Sequence, residues 1–264
     1  MRLSRMSRWA TVALALCLTW SAKADVKLGS IFSNDMVLQR EIPAPVWGWA
    51  PEGEEVAVEF AGQTKTTKAG ADGKWMVKLD PLKANAQGQT LTISGKNEIK
   101  LENVLVGEVW ICSGQSNMEW AVGGTINAKE EIAAADHPTI RMFNVPGHTV
   151  SPTPKDECPG SWKVCGPKTI GGFSAVGYFF GRRLQKELGV PIGLVGSNLG
   201  GTRIEPWVPA HGFDSVKELA PIAEQVSKFA EGAKVGGGTP TAIYNAMVHP
   251  LTPFAMRGVI WYQG

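Results

Sequence analysis

Cysteine and histidine are scarce, four of each in 264 residues, and they are scattered. No Cys-x-x-Cys pair or clustered His/Cys spacing occurs, which excludes a zinc-built fold and leaves no metal expected. A block of one charge sign is also missing. Basic and acidic residues number 26 and 24, and Arg2, Arg5, Arg8 and Lys23 all fall in a leader that has no acidic residue, so the remainder is slightly acidic. With no basic stripe and no aromatic-basic interleaving, the electrostatic footprint of a nucleic-acid binder is absent. A neutral or weakly charged ligand fits better. Long hydrophobic runs are limited to Trp9–Trp20, which falls short of the about 20 residues of a bilayer-spanning helix, so no membrane anchor is expected. There are no internal repeats.

That single run, with basic residues before it and Ala22-Lys23-Ala24 after it, has the pattern of a secretory signal over residues 1–24. Cleavage is expected before Asp25, giving a secreted or periplasmic protein. A lipid attached at Cys17 is disfavoured because Leu16 stands where a small residue is wanted. Export permits disulfides, and Cys158 and Cys165 enclose the turn signal Pro159-Gly160, so a small loop disulfide is expected between them. Cys112, within an apolar strand pattern, is expected to be a buried free thiol.

The chain beyond the leader has two rhythms. Over residues 25–106, apolar and polar residues often alternate at period two, as in Val56–Phe60, Trp75–Leu79 and Leu91–Ile93, with turn chemistry at Pro51-Glu52-Gly53, Asp72-Gly73 and Ser94–Asn97. This predicts an antiparallel β-sandwich, with a tight hairpin at Asp72-Gly73. Trp47 and Trp49 are read as core packing rather than sugar-stacking platforms. Over 107–264, short apolar runs (Val104–Cys112, Thr139–Val145, Ile192–Ser197, Arg257–Gln263) alternate with helical periods (Ile126–Ala135, a helix with Val176, Phe179, Phe180, Leu184 and Leu188 inward, and Thr241–Met247). That alternation predicts a parallel sheet covered on both faces.

Ligands of open α/β sheets bind beyond the carboxyl ends of the strands. Three such ends are polar or glycine-rich: Cys112–Met118, Gly196–Thr202 and Trp261–Gly264. The first departs from the G-x-S-x-G elbow because Met118 replaces the second glycine, and on spacing alone a serine in a turn is the plainer reading.

A longer comparison of residues changes that reading. Gly107-Glu108-Val109-Trp110-Ile111-Cys112-Ser113-Gly114-Gln115-Ser116-Asn117-Met118-Glu119-Trp120 resembles the nucleophile block of the sialate O-acetylesterase family, a branch of the SGNH hydrolases related to acetylxylan esterases. Phe32–Arg40, Gly200–Trp207, and Tyr244–Met247 through Pro250–Phe254 into Trp261–Gly264 are similar to further family segments. The resemblance implies an α/β SGNH-hydrolase-like, flavodoxin-like parallel sheet, incomplete here, after the β-sandwich. It also implies a serine esterase acting on acetylated carbohydrate, with Ser116 as nucleophile and oxyanion donors from the Ser116 N–H, Gly200 or Gly201, and the Gln263 side chain. No cofactor, metal or oligomeric state is implied. In the family an Asp-x-x-His segment supplies the base. None of the seven aspartates has a histidine three residues on, and His137, His148, His211 and His249 are read as loop or surface residues, with His249 the nearest to a family-like segment. The expectation is a chain that ends before its base, has little esterase activity alone, and has an apolar edge at its last strand.

Overall fold

Strict alternation along the chain does form strands in a computed structural model, which describes residues 25–264; the expected signal lies outside the described residues. The strands before the first candidate loop are β1 (Lys27–Leu28), β2 (Val37–Gln39), β3 (Ala44–Trp49), β4 (Glu55–Phe60), β5 (Gln63–Lys68), β6 (Lys74–Leu79), β7 (Asn85–Ser94) and β8 (Glu98–Gly114). β1, β3 and β6 make one antiparallel sheet in the order β1-β3-β6. β5, β4 and β7 continue antiparallel into β8 and belong to a larger mixed sheet. In β6 every second residue is buried, so Trp75, Val77 and Leu79 turn inward and join Val56, Val58, Leu91 and Ile93 of the other sheet in one core. Each such fully buried aliphatic side chain contributes about 1.5–3 kcal/mol. Trp47 belongs to this core, its ring 4.5 Å from that of Phe32 and nearly perpendicular to it.

The expected hairpin at Asp72-Gly73 is not formed. β5 and β6 lie in different sheets, and Gly73, at φ 72°, turns the chain from one sheet to the other. The tight hairpin is instead β4–β5, turned by Ala61 and Gly62 at φ 49° and 77°. An alanine in the left-handed region is outside the residue signals that mark such turns.

The second region adds β9 (His137–Asn144), β10 (Trp162–Cys165), β11 (Ile192–Asn198) and β12 (Gly258–Tyr262), with helices α1 (Ser116–Glu119), α2 (Ala128–Ala134), α3 (Ala175–Leu188) and α4 (Ala220–Ser227). β11 runs parallel to both β9 and β8, β12 runs parallel to β8, and β10 closes the far edge antiparallel to β9. In this half the strands run β10-β9-β11-β8-β12, so β8, the earliest of them in sequence, lies between the two later strands β11 and β12. Residues 106 and 107 both lie inside β8. Its first half pairs with β7 and β2, its second with β11 and β12.

Alternation on the inner strands separates two cores. Val109, Ile111, Phe143 and Val195 face the core shared with the N-terminal sheets, whereas Cys112, Met142 and Leu194 face α3. The buried face of α3 differs from the one expected. Its buried residues are Ala175, Gly177, Tyr178 and Gly181, while Val176, Phe179, Phe180 and Leu184 are only partly buried and Leu188 is exposed. Two glycines let the helix approach the sheet closely: a Cβ on Gly181 would stand 2.8 Å from Leu194 Cδ1. Between Thr241 and Met247 the expected helix is a wide π-type turn over Tyr244–Val248.

The expected disulfide is absent. Cys112, Cys158 and Cys165 are free and buried. Cys158 packs in the core beside the N-terminal sheets and Cys165 in the core under α3, so the two thiols sit in different cores. Burial pushes the Cys112 and Cys158 thiols up to about 12 and that of Cys165 up to about 11. Among the described residues no helix is long and apolar enough to cross a membrane.

Candidate active site

Asn198 and Tyr262 both stand in register with Gly114, so the ends of β11, β8 and β12 release their loops side by side. Gly114, at φ 130°, is required by this crowding, since a Cβ there would lie 2.1 Å from the Tyr262 carbonyl oxygen. The Gln115 N–H donates to that same carbonyl at 3.0 Å, tying the first loop to the third. The chain then turns into α1, where Met118 is buried and holds the turn down while Ser116 stays exposed. Cys112, one turn of strand behind, is a buried and protonated thiol, leaving the serine hydroxyl as the accessible nucleophilic atom of this loop.

The second loop is fastened to the first by its backbone. Leu199 N–H donates to the Gly114 carbonyl at 3.1 Å, and Ser113 Oγ donates to the Ser197 carbonyl at 2.6 Å. Gly200 is in contact with the serine: a Cβ added to it would be 3.4 Å from Ser116 Cα and Cβ and 2.6 Å from Glu119 Oε2. Its N–H donates to Glu119 Oε2 at 2.7 Å. Gly201 adopts φ 72°, and its N–H, like that of Ser116, donates to no protein acceptor among the described residues. From the third loop, Gln263 Nε2 donates to the Thr202 carbonyl at 3.0 Å, which brings the side-chain amide onto the second loop. The Thr202 hydroxyl closes that loop by donating to the Leu199 carbonyl at 2.7 Å.

The three loops singled out in the sequence therefore meet at one place. Of the two glycines, Gly200 has its amide occupied and Gly201 has its amide free. Glu119 was not singled out in the sequence; the only signal was an acidic residue three positions after the serine. Among the described residues no three His, Cys, Asp or Glu side chains converge as a metal-ligand set.

A family model described as "Carbohydrate esterase, sialic acid-specific acetylesterase" matches residues 106–264. The chain belongs to this family of carbohydrate esterases. Sialate O-acetylesterases of Rattus norvegicus and Homo sapiens are 32% and 33% identical to it over 90% and 92% of its length, and 52% and 49% of theirs. The crystal structure of a carbohydrate acetylesterase from Xanthomonas citri superposes with a TM-score of 0.79 at 38% identity, covering 91% of this chain and 51% of that one. The chain thus spans about half the length of the curated relatives it matches. The family match begins inside β8, eight residues before its end, and takes in all three loops.

In this acetylesterase-family chain the histidines lie in other surroundings. His249 Nδ1 faces the Lys155 carbonyl at 2.9 Å, and His137 packs near the Tyr178 ring at 6.1 Å. His148 sits in a loop at φ 63° and His211 in an exposed turn. Among the described residues no imidazole is hydrogen-bonded to Ser116 Oγ.

Proposed function

We propose that Ser116 is the nucleophile of a secreted carbohydrate O-acetylesterase of SGNH type, with residues 25–106 forming a β-sandwich and residues 107–264 part of the esterase domain. The observation that carries this reading is the meeting, at three adjacent strand ends, of an exposed serine, the free amides of Ser116 and Gly201, and the Gln263 carboxamide. Ser116 Oγ attacks the acetyl carbonyl, and the developing oxyanion is held by those donors, each worth about 2.7–4 kcal/mol in the transition state. Collapse of the tetrahedral intermediate expels the sugar hydroxyl and leaves an acetyl-serine, which water then hydrolyses. Gly200 serves this reading as the residue that packs the second loop against the serine, while Gly201 serves as the amide donor. Ser116 exposure and the family's description support an acetylated sugar as substrate, of the sialic acid type or a related acetylated glycan.

The serine hydroxyl needs a base to be an effective nucleophile at neutral pH. None of the four histidines is placed to act on Ser116, so this reading assigns the base to none of them, and residues 25–264 by themselves are slow. Hydrolysis of 4-nitrophenyl acetate by the chain and by Ser116→Ala, with and without added imidazole, tests both parts. With the rate of the same imidazole solution without protein subtracted, the expected result is little turnover without imidazole and an imidazole-dependent increment that the variant lacks. An equal increment in both proteins overturns Ser116 as nucleophile. Robust imidazole-free turnover that is lost in Ser116→Ala retains the nucleophile but overturns the missing base. Acetate release from acetylated sialic acids and acetylated xylans then ranks the substrates.

A further inference from the structure

A second concavity lies away from the three loops. It is a cavity of about 440 Å³ lined on one side by Trp47, Trp49 and Trp75 of β3 and β6, and on another by His249, Pro250 and Pro253. Its volume is that of a small-ligand site. Neither Ser116, Gly200, Gly201 nor Gln263 lines it.

The walls combine flat apolar surface with polar groups of balanced charge. Trp47 is fixed in the core, but Trp49 is only half-buried and so presents ring surface that the fold does not use. The indole N–H of Trp75 is buried and has no partner among the described residues. Lys74 Nζ pairs with Asp156 Oδ1 at 2.7 Å, and the remaining charged lining residues are Lys68 and Asp72, again one of each sign. His249 Nδ1 faces a carbonyl, which can only accept, so this nitrogen donates and Nε2 is left as an acceptor. A ligand here meets aromatic faces, donors and acceptors, and no net charge.

We propose that this cavity binds a neutral pyranose unit of a polysaccharide, and so anchors glycan at a site separate from Ser116. A pyranose has an apolar C–H face to lie on an indole and a rim of hydroxyls that both donate and accept. A carboxylate-bearing sugar would need an excess of positive charge, which this cavity does not provide. The site belongs to the N-terminal sheets and the 249–253 turn together, so it holds the glycan across both regions of the chain.

The test is titration of the purified chain with neutral xylo-, cello-, manno- and galacto-oligosaccharides and with sialyllactose, read by tryptophan fluorescence and calorimetry. At least one neutral oligosaccharide is expected to bind, with affinity lowered about tenfold, or about 1.4 kcal/mol, in Trp49→Ala and also lowered in Asp72→Ala, and unchanged in Ser116→Ala. Asp72 is exposed, so that variant keeps the test valid if Trp49→Ala fails to fold. The proposal is overturned if none of the neutral sugars binds, if Trp49→Ala and Asp72→Ala both bind like the parent, or if sialyllactose binds more tightly than every neutral sugar. Loss of binding in Ser116→Ala places the sugar at the three-loop site and likewise overturns it. Because Ser116→Ala is the only variant shared with the esterase assay, failure of one reading is distinguishable from failure of the other.

Discussion

Glu119 bridges the loop of Ser116 and the loop that carries Gly201. Its carboxylate accepts the Gly200 N–H at 2.7 Å, a charge-assisted contact that adds to the bond from Leu199 N–H to the Gly114 carbonyl. Removing it in Glu119→Ala frees the second loop to drift from Ser116. Because reacting groups misplaced by about 1 Å lose rate steeply, the imidazole-dependent esterase rate is expected to fall about tenfold or more. Glu119→Gln keeps an acceptor oxygen and should recover most of the loss, while the melting temperatures of both variants stay near the parent's because the residue is exposed. Equal rates for Glu119→Ala and the parent would show that the strands alone set the geometry.

At the scale of elements, the end of β2, the middle of β8 and the start of β12 are clamped by one carboxylate. Glu108 is buried and accepts from Arg40 Nε at 2.6 Å and from Arg257 Nε and Nη2 at 2.8 and 3.0 Å. Burial alone pushes its carboxyl up, and the hydrogen bonds and charges of Arg257 and Arg40 outweigh burial to leave it below the usual carboxylate range. A depressed folded-state pKa means that the stabilisation is fully present above the unfolded value and is lost as pH falls through the folded one. The melting temperature of the parent should therefore exceed that of Glu108→Gln by a roughly constant margin near neutrality, and the margin should shrink below about pH 4. Glu108→Ala should cost about 3 kcal/mol, the low end for a broken buried pair because both guanidinium groups reach solvent. A pH-independent margin would overturn the assignment.

Strands were legible wherever burial follows a simple period. β4, β6, β9 and β11 were all marked by alternation or short apolar runs, and the three glycine-rich or polar strand ends were marked by composition. What escaped depends on contacts between distant residues. The inward face of α3 was misjudged because glycines, which carry no hydrophobic signal, are what bring the helix against Leu194. The Asp72-Gly73 turn has hairpin chemistry, but whether the next strand pairs back or crosses to a second sheet is decided by the partners β3 and β4. Cys158 and Cys165 are close in sequence and separated by the sheet. Glu119 and the Arg40–Glu108–Arg257 clamp leave no periodic trace, since each partner comes from a different strand or loop.

For the molecule as a whole, the surface of β12 bears on association. Val259, Trp261 and Tyr262 are exposed, and among the described residues β12 pairs only with β8. A strand with apolar side chains and an open edge is a template for association. The chain is expected to self-associate as its concentration rises, and Val259→Lys should shift sedimentation profiles toward the monomer. A parent that sediments as a monomer at all concentrations would contradict this.

β8 runs as one strand from the N-terminal sheets to Gly114, two residues before the serine, with an irregularity at Asn103, which is left-handed at φ 58°. The two regions are thus not beads joined by a string but two ends of one ruler. A cut at residues 106 and 107 would sever hydrogen-bonded strand rather than release a domain, leaving each fragment with a raw edge. The placement of Ser116 is therefore partly specified by pairings made in the N-terminal sheets, far along the strand from it.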